Sequence, residues 1–185
     1  MIEHFNPAWA FFLAALGIPL ARGRWLPGLV IAAPLLGLIQ LLTLPLGEHA
    51  PLLLFGLELK TLRLDGLSFP FALIFHLIAL LTALYALHLR DRLQQVAMLT
   101  YMGATIGAVL AGDLITLFVY WELTALTSVF LLWAPGTPRA VRVGMRYLAV
   151  QVVSGVLLIG GAVLFYNDTS DIAFGTIGLD APGGW

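Results

Sequence analysis

The sequence predicts an all-α integral membrane protein, a bundle of about six transmembrane helices with its N-terminus outside. Three observations support this fold class. Of the 185 residues, 61% are hydrophobic and only 10% are charged, against about 25% charged in ordinary soluble domains. Long apolar runs recur along the chain, and Lys and Arg gather in alternate connections between them. A bilayer is the solvent that accepts so much apolar surface.

Each apolar run is bounded by charges or turn residues. A helix needs about 20 residues to cross about 30 Å of hydrocarbon, and most runs approach that length, although the first is short. The runs are continuous, which favours helices over alternating strands, and a helix satisfies its own backbone in lipid. Pro34 is expected to kink or weaken the second span, and Pro70 is tolerated in the first turn of the third. The predicted spans are residues 5–20, 26–46, 67–89, 93–111, 114–133 and 147–166.

The basic residues give this bundle a direction. With six spans, the connections alternate between the two sides of the membrane. One side receives only Lys60 and Arg63. The richer side is expected to be cytoplasmic, because cytoplasmic loops carry an excess of Lys and Arg. The N-terminus and residues 167–185 should then lie outside. The basic residues on the inner side are Arg22, Arg24, Arg90, Arg92, Arg139, Arg142 and Arg146.

Residues 47–66 form the long interior connection, which this topology places outside. Residues 55–64 alternate between apolar and polar side chains, a pattern typical of strands, so a short external hairpin is expected there. Residues 1–185 are otherwise interpreted as a single transmembrane domain.

Glu122 is the strongest candidate for a functional residue. It lies within the fifth predicted span, at a depth of about 12 Å from one end and about 16 Å from the other. An ionised carboxylate costs several kcal/mol there unless it is paired, hydrated or protonated. Because acids at such depth mark ion or proton pathways, we interpret Glu122 as a proton-transfer residue. A structural carboxylate bonded to a neighbouring helix is the alternative.

His76 sits at a similar depth in the third span. An imidazole relays protons near neutral pH, but a neutral histidine bonded between helices fits the pattern equally well. Thr127, Gln151 and Ser154 are candidates for a polar path. For Thr127 the favoured alternative is a bond back to its own helix, and for Gln151 and Ser154 it is a bond between helices.

The remaining motifs indicate structure. Gly103 and Gly107 form a small-xxx-small pattern that favours close helix packing, and Asp113 fits the N-cap of the fifth helix. The chain has no cysteine, and it lacks a phosphate-binding loop, a zinc-binding HExxH and a nucleophile elbow. No cofactor, metal site or catalytic centre is therefore expected. The net charge of −1 gives no reason to expect nucleic-acid binding.

Several stretches together resemble one family of membrane proteins. Residues 64–68 read LDGLS before an apolar span, residues 112–123 read GDLITLFVYWEL, and residues 146–161 begin with RYL. Over roughly residues 50–185 the chain is similar to the antiporter-like membrane subunits. That family includes the large subunits of Mrp-type Na⁺/H⁺ antiporters and the proton-pumping membrane subunits of NADH:quinone oxidoreductase and membrane-bound hydrogenases. The Trp-Glu pair that ends at Glu122 is its most specific element here.

The resemblance implies a role for Glu122 as the family's fifth-helix glutamate, which works with a lysine on a seventh helix. This chain has no lysine in a predicted span, so it is expected to be the N-terminal portion of a larger subunit or to be completed by a partner chain. The implied function is a proton-conducting subunit of a cation (Na⁺)/proton antiporter complex, multi-pass in the plasma or inner membrane and assembled with other membrane subunits. The alternatives are the membrane arm of a proton-translocating oxidoreductase and a purely structural subunit.

Overall fold

The computed structural model describes residues 5–21, 23–54, 56–89 and 91–174, with Arg24 described by its backbone alone. Within these residues the chain forms six α-helices and one hairpin, which confirms the predicted all-α membrane bundle. Short 3-10 turns at Gly23–Trp25 and Ala86–His88 precede α2 and follow α3. The elements are α1 Ala8–Gly17, α2 Leu26–Thr43, β1 Gly47–Leu54, β2 Leu57–Leu64, α3 Ser68–Tyr85, α4 Arg92–Val109, α5 Leu114–Trp133 and α6 Pro138–Thr169.

Four of the described helical segments are long and apolar enough to cross a membrane, namely Leu26–Thr43, Ser68–His88, Leu114–Trp133 and Pro138–Thr169. The other two helices refine the expectation of six similar spans. α1 has only 10 residues. α4 has 18 residues and packs against α1, α3 and α5. Because neighbouring helices rather than lipid cover much of α4, its sequence needs fewer apolar side chains.

The predicted boundaries hold best for α5 and worst for α6. α5 covers the predicted residues 114–133. α6 begins at Pro138 instead of residue 147, because the arginines that marked a loop in the sequence lie in its first turns. Thr137 caps this start by accepting a hydrogen bond from the backbone N–H of Ala140 at 3.1 Å. Proline suits this first helical position because it lacks an N–H that would otherwise need a partner.

The helices form two groups, one that encloses the hydrophobic core and one that leaves most of its surface exposed. The closed part, here called the inner bundle, comprises α1 to α4 with the hairpin packed on one end, and it holds the hydrophobic core. The open part is the α5–α6 pair, in which α5 packs against α4 and α6 packs against α5. On α6 only Gly144, Gly155 and Ala162 are buried.

Gly103 and Gly107 confirm the predicted close packing of α4, but with two different neighbours. A Cβ atom added at Gly103 would lie 2.9 Å from Cβ of Phe11 on α1. One added at Gly107 would lie 2.6 Å from Cδ1 of Tyr120 on α5. The missing side chains thus let α4 approach both helices closely, as small residues do at membrane helix interfaces.

The hairpin is antiparallel and runs from the pair Gly47–Leu64 to the pair Leu54–Leu57, which confirms the hairpin expected in this connection. The LDGLS stretch joins it to α3. Oδ1 of Asp65 accepts hydrogen bonds from the N–H groups of Leu67 at 3.0 Å and Ser68 at 2.7 Å. The hydroxyl oxygen of Ser68 accepts one from the N–H of Asp65 at 2.8 Å. This reciprocal arrangement satisfies helix-start donors in the manner of a capping box.

The two ends of the bundle differ in charge, as the sequence predicts. α1 and α5 both begin at the hairpin end, where Lys60 and Arg63 lie. At the opposite end, Arg92 donates hydrogen bonds to the carbonyls of Pro19 at 3.2 Å and Ala21 at 3.3 Å, and α6 begins with its three arginines. Arg22 and Arg90 fall outside the described residues, and which end faces the cytoplasm remains a prediction.

Candidate functional site

The site lies where α5 and α6 pack side by side. Residue numbers rise along α6 as they fall along α5, as antiparallel neighbours require. From the arginine end toward the hairpin end, the paired contacts are Trp133 with Gly144, Ser128 with Tyr147, and Glu122 with Gly155.

Glu122 is half-buried, and its Oε1 atom is fully buried with no hydrogen-bond partner among the described residues. A Cβ atom added at Gly155 would overlap Oε1 and would lie 2.8 Å from Cδ. The carboxyl group therefore occupies space that the glycine leaves empty. A buried carboxyl oxygen without a hydrogen-bond partner costs free energy, because it has given up its hydrogen bonds to water.

Asp113 fixes the start of α5 and is completely buried. Its Oδ1 accepts a hydrogen bond from the N–H of Thr116 at 2.7 Å, which confirms the predicted N-cap. Its Oδ2 accepts two more at 2.7 Å, from the Thr116 hydroxyl and from the N–H of Lys60 on β2. The same carboxylate thus caps α5 and ties it to the hairpin.

The segment that follows α6 lies on the other side of the same α5 start. The N–H of Leu114 donates to the carbonyl of Ile172 at 3.0 Å, and the N–H of Phe174 donates to the carbonyl of Gly112 at 3.0 Å. These bonds tie the start of α5 to the segment that follows α6, at the hairpin end of the α5–α6 pair.

The three residues proposed for a polar path have different surroundings. The hydroxyl of Thr127 donates to the carbonyl of Leu123 at 2.7 Å, which is the bond back to its own helix that the sequence favoured. Gln151 lines a cleft of about 450 Å³ between α4, α5 and α6. Thr124, two positions after Glu122, lines the same cleft. Ser154 is half-buried and directly precedes Gly155.

His76 lies in the inner bundle, completely buried. Its Nδ1 is 2.8 Å from the carbonyl oxygen of Ala72, so Nδ1 carries the proton and donates it. In the neutral ring Nε2 then keeps its lone pair. Nε2 is buried without a partner among the described residues, and it faces Gly37 of α2, where an added Cβ would lie 2.8 Å away.

The structure does not join His76 and Glu122 into one site. The contacts of His76 lie on its own helix and on α1 and α2. The centroid of the Phe11 ring on α1 is 5.8 Å from the centroid of the His76 ring. The contact that positions Glu122 lies on α6. Two separate polar positions therefore exist at mid-helix depth. Among the described residues, no three His, Asp or Glu side chains come together as metal ligands.

Sequence reasoning missed two residues of the α5–α6 interface, Gly155 and Tyr147. Ser128 Oγ is 2.7 Å from the carbonyl of Ala125 and 2.9 Å from Tyr147 Oη. Because Ser128 has one hydroxyl proton, it donates to Ala125 and accepts from Tyr147. A tyrosine near the end of a span indicates a membrane interface as readily as an interhelical bond, and Gly155 is one of several glycines in that helix.

These features define a class: a multi-pass membrane protein whose fifth helix carries a glutamate at the interface with the sixth. Comparisons with known proteins narrow that class. Residues 111–182 match the model of the family described as NADH:quinone oxidoreductase/Mrp antiporter, TM. The predicted resemblance to antiporter-like membrane subunits is thereby confirmed.

Two curated relatives are similar over more than half of this chain. Na⁺/H⁺ antiporter subunit A1 of Staphylococcus haemolyticus (strain JCSC1435) is 35% identical over 109 residues, which are 56% of this chain and 14% of the relative. The subunit of the same name from Staphylococcus aureus (strain bovine RF122 / ET3-1) is 33% identical over 126 residues, 64% of this chain and 16% of the relative. The chain therefore spans only a small part of their length.

Among solved structures, the fold is similar to a chain of the membrane-bound sulfane sulfur reductase, an archaeal respiratory membrane complex. The TM-score is 0.79 at 17% identity, and the match covers 91% of this chain and 28% of that chain. At this identity the likeness shows the fold alone.

Proposed function

We propose that this chain belongs to a proton-conducting membrane subunit of a cation/proton antiporter complex, and that Glu122 is the group that takes up and releases the proton. The observation that supports this most directly is the Glu122 carboxyl, which meets α6 with Oε1 buried and without a hydrogen-bond partner among the described residues. The named antiporter subunits among the relatives support the choice of antiporter, with Na⁺ as the candidate cation. The proposal includes other membrane subunits as partners and the N-terminus outside.

Transport would follow from a change in what surrounds the carboxyl. Protonated Glu122 is neutral and is stable against the apolar interface. A cation that approaches stabilises the ionised form, so that the proton is released, and withdrawal of the cation favours uptake. The lysine that the resemblance implies would be such a cation. Repeated approach and withdrawal would pass protons across the level of Glu122 one at a time.

The cleft beside Gln151 offers this carboxyl a polar route. Its lining includes the polar groups of Thr105, Thr124, Tyr147 and Gln151, each able to bond water. Ser154 extends the polar face of α6 toward Gly155. Thr127 contributes only oxygen lone pairs, since its proton is bonded to Leu123.

His76 is proposed as a second proton-transfer group, because its Nε2 can accept a proton. Its position inside α1 to α3 gives it a route separate from that of Glu122.

The second candidate is the membrane arm of a respiratory oxidoreductase, such as an NADH:quinone oxidoreductase or a membrane-bound hydrogenase. The family model carries a description that names both functions. In that case the same residues would conduct protons, and redox chemistry in other subunits would drive them. The antiporter is preferred because the curated relatives at 33–35% identity are antiporter subunits.

The test replaces Glu122 with Gln in the assembled complex and measures proton movement in membrane vesicles. Glutamine keeps the size of the side chain but cannot exchange a proton, so transport should fall by at least about tenfold. Glu122→Asp should retain part of the activity. The matched control is Glu58→Gln, which changes an exposed glutamate on β2 and should transport normally.

Normal transport in a fully assembled Glu122→Gln complex would contradict the proposal and leave a structural role for this carboxyl. The driving force separates the two candidate functions. Proton movement driven by a Na⁺ gradient in wild-type vesicles supports the antiporter, whereas movement that requires an electron donor supports the respiratory complex.

A further inference from the structure

Gly155 stands out among the glycines of α6 because it is the one that faces Glu122. It is buried. An added Cβ would overlap Oε1 of Glu122, and it would lie 2.8 Å from Cδ and 3.3 Å from Oε2. All three atoms of the carboxyl head are therefore close to the bare Cα, so the glycine faces the ionisable group itself.

We propose that Gly155 is a positioning residue for proton transfer, which fixes the carboxyl head of Glu122 in a notch on the surface of α6. This inference rests on the proposed function of Glu122 and deepens it. The notch keeps the head at the interface, next to Ser154 and one turn of α6 from Gln151. It also keeps the head away from the exposed outer surface of α6.

Neighbouring contacts make the notch a rigid one. The Ser128–Tyr147 hydrogen bond lies on one side of Glu122, and the packing of Trp133 on Gly144 lies beyond it. On the other side, the segment after α6 is bonded to the start of α5. For α6 to move outward and accept a methyl group at position 155, these contacts would have to break. A methyl group should therefore displace the carboxyl head rather than the helix.

The glycine also carries a cost that its position must offset. Glycine inside a helix is less stable than alanine, because it loses more backbone freedom on folding. At Gly160 and Gly161, where an added Cβ meets nothing within 4 Å, alanine should be tolerated or slightly stabilising. At Gly155 the gain in helix stability is outweighed by the loss of the space that the carboxyl fills.

The test uses the complete antiporter complex in vesicles and compares Gly155→Ala with Gly160→Ala and Gly161→Ala. Misplacing a reacting group by about 1 Å can cost up to about a hundredfold in rate. Gly155→Ala is expected to lower proton transport by about tenfold or more and to shift its pH profile, with assembly retained. The two control variants should transport like wild type at every pH.

A double variant separates positioning from a general loosening of the interface. Glu122→Asp withdraws the carboxyl by one methylene, which makes room for the methyl of Ala at position 155. Transport in Gly155→Ala/Glu122→Asp should exceed that of Gly155→Ala alone, a positive coupling that independent defects would not give. If Gly155→Ala fails to assemble, restored assembly in the double variant is the corresponding expected result.

Two results would overturn the inference. One is transport in Gly155→Ala equal to that of the Gly160→Ala control. The other is a defect in Gly155→Ala that Glu122→Asp does not relieve. Either result would leave the role of Glu122 standing if Glu122→Gln is inactive, whereas normal transport in Glu122→Gln would remove the proposed function itself.

Discussion

His76 and Glu122 are ionisable side chains near the middle of membrane helices, but their surroundings differ. His76 is completely buried between α1, α2 and α3. Glu122 is half-buried in the α5–α6 pair. In the apolar segment of each helix, 28% of the residues are buried in α3, against 22% in α5 and 11% in α6. The inner bundle thus encloses its polar group, whereas the α5–α6 pair leaves its polar group at an edge.

Because of this difference, a buried polar atom without a hydrogen-bond partner has different consequences for stability at the two positions. His76 Nε2 and Glu122 Oε1 are each buried without a hydrogen-bond partner among the described residues. Inside the packed inner bundle, such an unpaired atom destabilises the protein by about 1–3 kcal/mol. The imidazole ring of His76 nevertheless fills space there that would otherwise be a cavity. Glu122 as a whole is only half-buried, so its removal leaves a smaller internal cavity. Removal of the two side chains should therefore affect stability differently.

The largest expected loss of stability comes from His76→Ala. It leaves a cavity in the inner bundle, and the free energy of unfolding should fall by about 3–4 kcal/mol. Glu122→Ala removes a half-buried group whose Oε1 has no hydrogen-bond partner among the described residues, so the change should stay below about 1 kcal/mol. Unfolding in detergent, followed by tryptophan fluorescence, compares the two. Equal losses would show that the α5–α6 pair is as closed as the inner bundle.

His76→Asn separates packing from proton relay at the same position. The asparagine amide can still donate to the carbonyl of Ala72, but it has no basic nitrogen in place of Nε2. If His76 relays protons, transport should fall although the protein folds. His88→Asn is the matched control, because Nδ1 of the exposed His88 is 2.6 Å from the carbonyl of Tyr85. Unchanged transport in His76→Asn would leave only the packing role.

The contrast also shows what sequence could predict. The bounds of α5 and the cap at Asp113 follow from local signals, so both were found. The start of α6 was missed because arginines were taken as loop residues, whereas they lie along its first turns. The all-α fold class and the membrane location could be predicted from amino-acid composition and the length of the apolar runs alone.

The sites were predictable only in part, because their partners are distant in sequence. The depth of Glu122 follows from counting residues, but its contact with Gly155 depends on the register between two helices. For His76 the sequence left relay and packing equally favoured. Enclosure by α1 and α2 is a tertiary property that no pattern around residue 76 encodes.

A third prediction concerns Asp113, which ties the α5–α6 pair to the hairpin of the inner bundle. Asp113→Ala removes a helix cap worth about 1 kcal/mol and leaves the partly buried N–H of Lys60 without its acceptor, which costs about 1–2 kcal/mol. The expected loss of unfolding free energy is about 2–3 kcal/mol. Asp91→Ala is the matched control, since the exposed Asp91 caps α4 through a single bond to the N–H of Leu93 at 2.9 Å.

Asp91→Ala should cost only about 0.5–1 kcal/mol. The same unfolding measurement tests both variants. A loss at Asp113 no larger than that at Asp91 would mean that the bond to the hairpin adds nothing, and that the α5–α6 pair is held to the inner bundle by helix packing alone.

The smallest expected effect is at Asp65, which joins the hairpin to α3 outside the membrane-spanning segments. The N–H of Ser68 lowers the pKa of the Asp65 carboxyl below its ordinary range, helped by Leu67, the Ser68 hydroxyl and Arg63 and opposed by partial burial. Nη2 of Arg63 lies 3.1 Å from Oδ2 of Asp65. Because the folded state favours the ionised form, the carboxylate stabilises this junction at neutral pH. That stabilisation is lost as the pH falls through the lowered pKa.

Hydrogen exchange at the amides of Leu67 and Ser68 measures this junction directly. In wild type, their protection should fall below about pH 4, and Asp65→Asn should show weaker protection with no such step. Asp168→Asn, which changes an exposed residue in the last turn of α6, should retain the wild-type step. An acid step that persists in Asp65→Asn would assign the acid sensitivity to another carboxylate.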